Sequence, residues 1–234
     1  MGSVSSMKPF EPRLEILPPA QRSLWAELAH VPREFVLYGG TALALHLGHR
    51  HSVDFNFFGN RVLNISRIEQ EIPFLKGANV IQREKNTLSV IVDRAGPVKV
   101  SFFGVPDLPR LSAPLVARDN GMQVASLLDL AGTKASVVQM RAEAKDYIDI
   151  DALITKGKGD LPLALSAAER LYGSTFNPQI TLKALSFFDD GDLRQLPDDM
   201  KLRLVTASRD VDLDHLPSLD PPTRKIDRDY GHEL

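Results

Sequence analysis

Phe35-Val36-Leu37-Tyr38-Gly39-Gly40-Thr41-Ala42-Leu43-Ala44-Leu45 and, a few residues on, Ser52-Val53-Asp54-Phe55-Asn56-Phe57-Phe58 decide how this chain folds. The apolar run 35–38 stops at two glycines, which marks a strand ending in a tight turn. Residues 41–47 then space their apolar side chains as a helix does, and residues 52–58 alternate as a half-buried strand does. The order is strand, turn, helix, strand. In the second strand Val53, Phe55 and Phe57 share one side, while Ser52, Asp54, Asn56 and Phe58 share the other. Two oxygen-bearing side chains about 7 Å apart on one strand face can converge on a hard divalent cation that also grips triphosphate oxygens. Gly39 and Gly40 stand where a backbone can approach a ligand closely and a helix start offers unpaired amides to an anion. Thr41 adds a hydroxyl. Each piece alone also fits a plain connection or a solvated strand face; closeness in the chain is what joins them.

Outward from this unit, Pro18-Pro19 introduces a short helix over 20–28, and a second helix covers 65–72. Three strand-like runs follow, 79–83, 87–93 and 98–103, with turns at Lys85-Asn86 and Ala95-Gly96-Pro97. Residues 8–123 therefore read as a mixed sheet flanked by helices. From Val124 the pattern changes to helices at 126–139, 144–154, 161–171, 178–188 and 198–207, a helical bundle over 124–209. Residues 210–234, with several aspartates, Pro217, Pro221 and Pro222, read as a flexible acidic tail, and residues 1–7 as an unstructured leader. The class is α+β.

With 234 residues, 43% hydrophobic and 25% charged, the chain has the composition of a folded protein rather than a disordered one. A net charge of −2 excludes a polycationic nucleic-acid coat, so any RNA contact must be local. The charge is uneven: residues 1–120 carry 14 basic and 11 acidic side chains, residues 121–234 carry 14 and 19. Cysteine is absent, which removes disulfides, thiolate metal sites and a cysteine nucleophile, and suits a reducing, cytoplasmic setting. No apolar run reaches the roughly 18 residues of a membrane span.

A second constellation starts at Ser126, which with Asp129 forms a capping pair. Leu127, Leu130, Ala131, Lys134, Val138 and Arg141 then run along one face, so Lys134 occupies an apolar position. It either snorkels or pairs internally, or it reaches a cleft and binds phosphate. Asp146 and Asp149 lie three apart on one helical face, where one could serve as general base. The competing reading is helix-start charge with a Lys145–Asp149 pair. His46, His49 and His51 straddle a helix end rather than sharing a face, which argues against zinc. No Gly-x-Ser-x-Gly elbow accompanies His51-Ser52-Val53-Asp54, which argues against a serine hydrolase.

These residues resemble a known family. The run 35–45 with Gly48-His49-Arg50-His51-Ser52-Val53-Asp54-Phe55-Asn56-Phe57-Phe58, the block Ala125-Ser126-Leu127-Leu128-Asp129-Leu130-Ala131-Gly132-Thr133-Lys134, and Lys145-Asp146-Tyr147-Ile148-Asp149 are similar, in order and spacing, to the motifs of the AbiEii/AbiGii nucleotidyltransferase toxins. The resemblance implies a bacterial protein with a polymerase-β-like nucleotidyltransferase fold followed by helices. It implies the toxin of a toxin–antitoxin or phage-defence system, using a nucleoside triphosphate and Mg²⁺, with tRNA or a protein as acceptor and an antitoxin as partner. Carried over by position, Gly39, Gly40, Thr41, Arg50 and Ser52 would hold the nucleotide. Asp54 and Asn56 would hold the metal, and Lys134 the phosphates. Asp146 would be a candidate base, and Asp149 would support it. Two departures stand out. The family's usual second metal carboxylate is an aspartate where this chain has Asn56, and a third carboxylate of related polymerases falls at Ser101. An amide ligates Mg²⁺ without negative charge, so the chain is either a weakened enzyme or a nucleotide- or partner-binding module of the same fold.

Overall fold

The computed structural model describes residues 8–157 and 159–222 and arranges their strands in one sheet. The quoted unit forms as its pattern predicts: strand β2 (Phe35–Tyr38), helix α2 (Gly39–Leu47) and strand β3 (Asp54–Gly59). Ahead of it come a two-residue strand β1 (Pro9–Phe10) and helix α1 (Pro19–Trp25), with Pro19 at the first helical position, where a missing N–H costs nothing. After it come α3 (Ile65–Glu71), β4 (Asn79–Glu84), β5 (Thr87–Asp93) and β6 (Pro97–Gly104). The eight strands take the order β1-β7-β8-β2-β3-β6-β5-β4, where β7 is Leu115–Ala117 and β8 is Gln123–Val124. The sheet is mixed: β3 runs parallel to β6 and antiparallel to β2, and β4, β5 and β6 form an antiparallel meander.

Alternation assigns the two faces. Phe55 and Phe57 of β3, Val98, Val100 and Phe102 of β6, and Leu88, Val90 and Val92 of β5 are all buried on one side. There Phe57 stacks on Phe102 with centroids 5.3 Å apart, and Trp25 of α1 lies 6.3 Å from Phe55. Asp54, Asn56 and Phe58 occupy the opposite face. Val53 does not continue the apolar side: β3 begins one residue later, and Val53 is exposed. Residues 48–53 instead form a loop held by polar contacts.

The second half is helical: α4 (Leu127–Val137), α5 (Ala144–Lys156), α6 (Leu161–Tyr172), α7 (Pro178–Ala184) and α8 (Asp198–Arg209). Ser126 caps α4, its Oγ accepting from the Asp129 amide at 3.0 Å and donating to Asp129 Oδ2 at 2.7 Å. Arg141 falls beyond the end of α4, so the stripe ends at Val138. One buried core runs from Ile16 to Leu204 and joins both halves. The expected tail from residue 210 differs over its first part: Leu213–His215 form a 3₁₀ turn, and Leu213 and Leu216 pack on the core. The rest of that tail beyond residue 222, and the expected leader, lie outside the described residues.

Candidate active site

Gly39 opens α2 with φ of +80°, a left-handed conformation that glycine adopts without steric cost. Gly40 follows, and a Cβ there would collide with the Arg50 guanidinium and stand 3.2 Å from Ser52 Oγ. The glycine pair thus lets Arg50 lie directly over the helix start. Thr41 ties the turn to β3: its hydroxyl donates to the Asp54 carbonyl at 2.6 Å and lies 2.8 Å from Ser52 Oγ.

Arg50 is fixed from the other half of the chain. It bridges Asp149 in the bidentate manner, Nε to Oδ1 at 2.7 Å and Nη2 to Oδ2 at 2.9 Å. Its Nη1 donates to the His51 carbonyl at 2.8 Å. His49 Nε2 lies 2.7 Å from Asp149 Oδ1. Lys134 enters from α4, with Nζ 2.6 Å from Asp149 Oδ2 and 2.7 Å from Asp146 Oδ1. Arg141 Nε completes the group, 2.8 Å from Asp146 Oδ2. Both carboxylates are fully buried, with three cations and one imidazole around them. Burial alone would push the Asp149 carboxyl up. The hydrogen bonds from His49 and Arg50 and the charges of Lys134 and Arg50 outweigh it and hold this group far below the usual carboxylate range.

Asp54 and Asn56 contrast with this saturated cluster. Both are half-buried on the same face of β3, and among the described residues neither side chain has a hydrogen-bond partner. One free carboxylate and one free amide oxygen, about 7 Å apart at the backbone, fit a single hard cation that brings its own phosphate and water ligands. The register between β3 and β6 sets Lys99 beside Asp54 and Ser101 beside Asn56. Ser101 is buried and its hydroxyl is taken up by Ser89 Oγ at 2.9 Å. Where three carboxylates would share a face, this sheet carries one carboxylate, an amide, a hydroxyl and an ammonium.

The sequence-derived residues thus fall into two linked groups. Gly40, Arg50, Asp149, Lys134 and Asp146 form one continuous chain of contacts, and Ser52, Thr41 and Asp54 another, joined where Arg50 and Ser52 flank Gly40. Lys145 pairs with Glu143 at 2.5 Å rather than with Asp149. The three histidines engage three separate partners, His46 the Ala125 carbonyl and His51 the Ile16 carbonyl besides the His49–Asp149 contact. His49, Lys99 and Arg141 were not singled out from the sequence as parts of one site. The first was weighed only as a zinc ligand and set aside, the second depends on strand register, and the third lies past the helix that carried its pattern.

A mixed sheet with a glycine turn, a strand-borne aspartate beside it and a distant basic cluster defines a nucleotidyltransferase-type fold. The comparisons agree. The model of the family described as "Nucleotidyl transferase AbiEii toxin, Type IV TA system" matches residues 22–222, and the chain belongs to that family. An uncharacterised protein of Aquifex aeolicus is 31% identical over 159 residues, covering 67% of this chain and 75% of that protein. Among solved structures, MenT4, a nucleotidyltransferase toxin of Mycobacterium tuberculosis, superposes with a TM-score of 0.53 at 14% identity, covering 83% of each chain. JHP933 from Helicobacter pylori gives 0.51 at 20% identity, covering 81% of this chain and 87% of its own. At such identities the likeness is one of fold. No helix among the described residues is long and apolar enough to cross a membrane.

Proposed function

We propose that this chain transfers a nucleoside monophosphate from a nucleoside triphosphate to a hydroxyl of an RNA, such as the acceptor end of tRNA, or of a protein, as the toxin partner of an antitoxin in the bacterial cytoplasm. The observation that carries this reading is the free Asp54 carboxylate beside a glycine turn, next to a cluster whose other carboxylates are fully paired. The amides of Gly40 and Thr41, with Arg50 and Ser52, cradle the triphosphate. Asp54 and the Asn56 amide oxygen would hold Mg²⁺. The ion supplies Lewis-acid charge to the phosphoryl oxygens when bound. The acceptor oxygen bonds to the α-phosphorus as the bridging bond to the β-phosphate breaks; pyrophosphate leaves and the acceptor's hydroxyl proton passes to water. Asp146 and Asp149 spend their oxygens on Lys134, Arg141, Arg50 and His49, so we assign them to positioning cations rather than to taking a proton. Lys134 then acts on the phosphates through Asp149 and Arg50 as well as by its own charge.

Asn56 favours a second reading, a module that keeps the nucleotide pocket without turnover and acts by binding a partner. Incubating the protein and its Asn56→Asp variant with labelled triphosphates, Mg²⁺ and total tRNA or cell protein separates the two. Transfer by both, faster in the variant, is the expected result; transfer by the variant alone marks a silenced enzyme. Transfer by neither, with triphosphate still bound, would establish the binding module and overturn the first reading.

A further inference from the structure

A cavity of about 700 Å³ opens where Phe35 of β2 pairs with Gly59 of β3, at the opposite end of these strands from Asp54. The two ends are separated by about 17 Å of strand. Arg33, Arg61, Arg67 and Arg110 line it against a single acidic side chain, Glu34. Arg67 is matched, its Nη1 lying 3.0 Å from Glu34 and its Nε 2.7 Å from Glu71. Arg33 forms no ion pair with any described residue and stands exposed at the rim. Arg110 is the unusual member: its Nε and Nη2 are shielded from solvent and have no hydrogen-bond partner. The rest of the guanidinium meets the Tyr38 hydroxyl and the charge of Asp129, which already accepts from the Leu111 amide and the Ser126 hydroxyl, both at 2.7 Å. Buried donors of a charged group are rarely left unmet, and where they are, an absent anion or water is the first explanation.

We infer that this cavity binds a phosphorylated small molecule of mononucleotide size, with its phosphate on Arg110 and Arg33 and its organic body against Phe35, Leu63 and Leu108. The volume falls inside the band of small-ligand sites, and a guanidinium fork matches a phosphate with two parallel hydrogen bonds. Bare phosphate would leave the apolar wall uncovered. An extended nucleic-acid strand is disfavoured because the cations of the neighbouring surface, Arg67 and Arg83, are already paired with Glu71 and Glu69 and so offer no free cationic track leading out of the cavity. The cavity opens at the Phe35 end of the strands, while Arg110 also reaches the Tyr38 hydroxyl next to the glycine turn; its occupancy does not depend on the transfer reaction proposed above.

Arginine modification by phenylglyoxal, mapped on tryptic peptides of the full chain, tests this with 5′-AMP as the probe. Inorganic phosphate and a short single-stranded oligoribonucleotide form the other arms. AMP should slow modification of Arg33 by about threefold or more, and Arg110→Met should weaken AMP binding in equilibrium dialysis by about tenfold. Should Arg110→Met fail to fold, Arg33→Ala at the exposed rim gives the same dialysis readout. Protection of Arg50 without Arg33 would report only the triphosphate site and overturn the inference. Equal protection by inorganic phosphate would overturn the organic body, and protection by the oligoribonucleotide alone would overturn the small molecule.

Discussion

Asp54 and Asp149 are the same residue type in neighbouring positions, and their surroundings give them opposite chemistry. Asp149 accepts from His49, Arg50 and Lys134 and stays ionised well into acid. Asp54 keeps its carboxylate lone pairs open. Replacing Lys134 by Ala therefore removes a shared buried cation rather than one contact, and leaves Asp146 and Asp149 to Arg141, Arg50 and His49. Urea unfolding should show a loss of about 3 kcal/mol, the order expected when one member of a buried ion network is deleted. At Asn56 the effect should run the other way. Asn56→Asp restores a negative charge on the face of β3, and Mn²⁺ affinity measured by electron paramagnetic resonance should rise about tenfold. An unchanged affinity would show that residues 54 and 56 do not share a cation. Gly40→Ala tests the turn: the clash is with the Arg50 guanidinium, a side chain rather than backbone, so the fold should survive while the Arg50–Asp149 bridge shifts and triphosphate binding falls.

At the level of elements, α4 carries Lys134 and is set by its crossing with α6. A Cβ at Gly132 would come within 2.8 Å of the Ala167 carbonyl carbon and 2.9 Å of the Ala168 nitrogen, backbone atoms that cannot step aside. Gly132→Ala should destabilise the protein by about 2 kcal/mol, read as a lowered denaturation midpoint, because overpacking outweighs the gain in helix propensity. This crossing was invisible in the sequence, where Gly132 lay inside a helical pattern without a stated reason. The elements themselves were readable wherever one periodicity ran long enough. Strand 35–38, the meander of β4, β5 and β6, and the starts of α4, α5, α6, α7 and α8 all follow from alternation, turn residues and caps. β1, β7 and β8 were not readable, because two or three residues hold no period and owe their pairing to neighbours distant in sequence. The same limit applies to the site. Gly39, Gly40, Asp54 and Asn56 sit in one local pattern, whereas the Arg50–Asp149 bridge and the Lys99–Asp54 register join residues far apart in the chain.

Across the whole molecule, three buried groups set how stability responds to acid. His46 lies between the Phe10 ring, with centroids 4.3 Å apart, and the Ala125 carbonyl, where its Nε2 is 2.9 Å away. Burial is the main cause that lowers its pKa below the usual histidine value, partly offset by that hydrogen bond. A depressed folded pKa means stability is fully present above the unfolded value of about 6.5 and is lost as pH falls through the folded value. Asp149 acts in the same sense in a lower window, its contribution full above about 3.9 and lost only as pH falls towards its much lower folded value. Asp129 acts in the opposite sense and above that window: burial raises its pKa, so protonation as pH falls through its raised folded value towards about 3.9 restores stability. The melting temperature should therefore decline between pH 7.5 and 5.5 through His46. His46→Gln keeps a donor for Ala125 but removes the titration, and should flatten that decline, sparing about 1.4 kcal/mol of unfolding free energy per unit of pKa depression, while leaving the steeper loss below pH 4 in place. If wild type and His46→Gln fall in parallel from pH 7.5 to 5.5, the seam joining β1 to α2 and the start of α4 does not carry the acid sensitivity assigned to it.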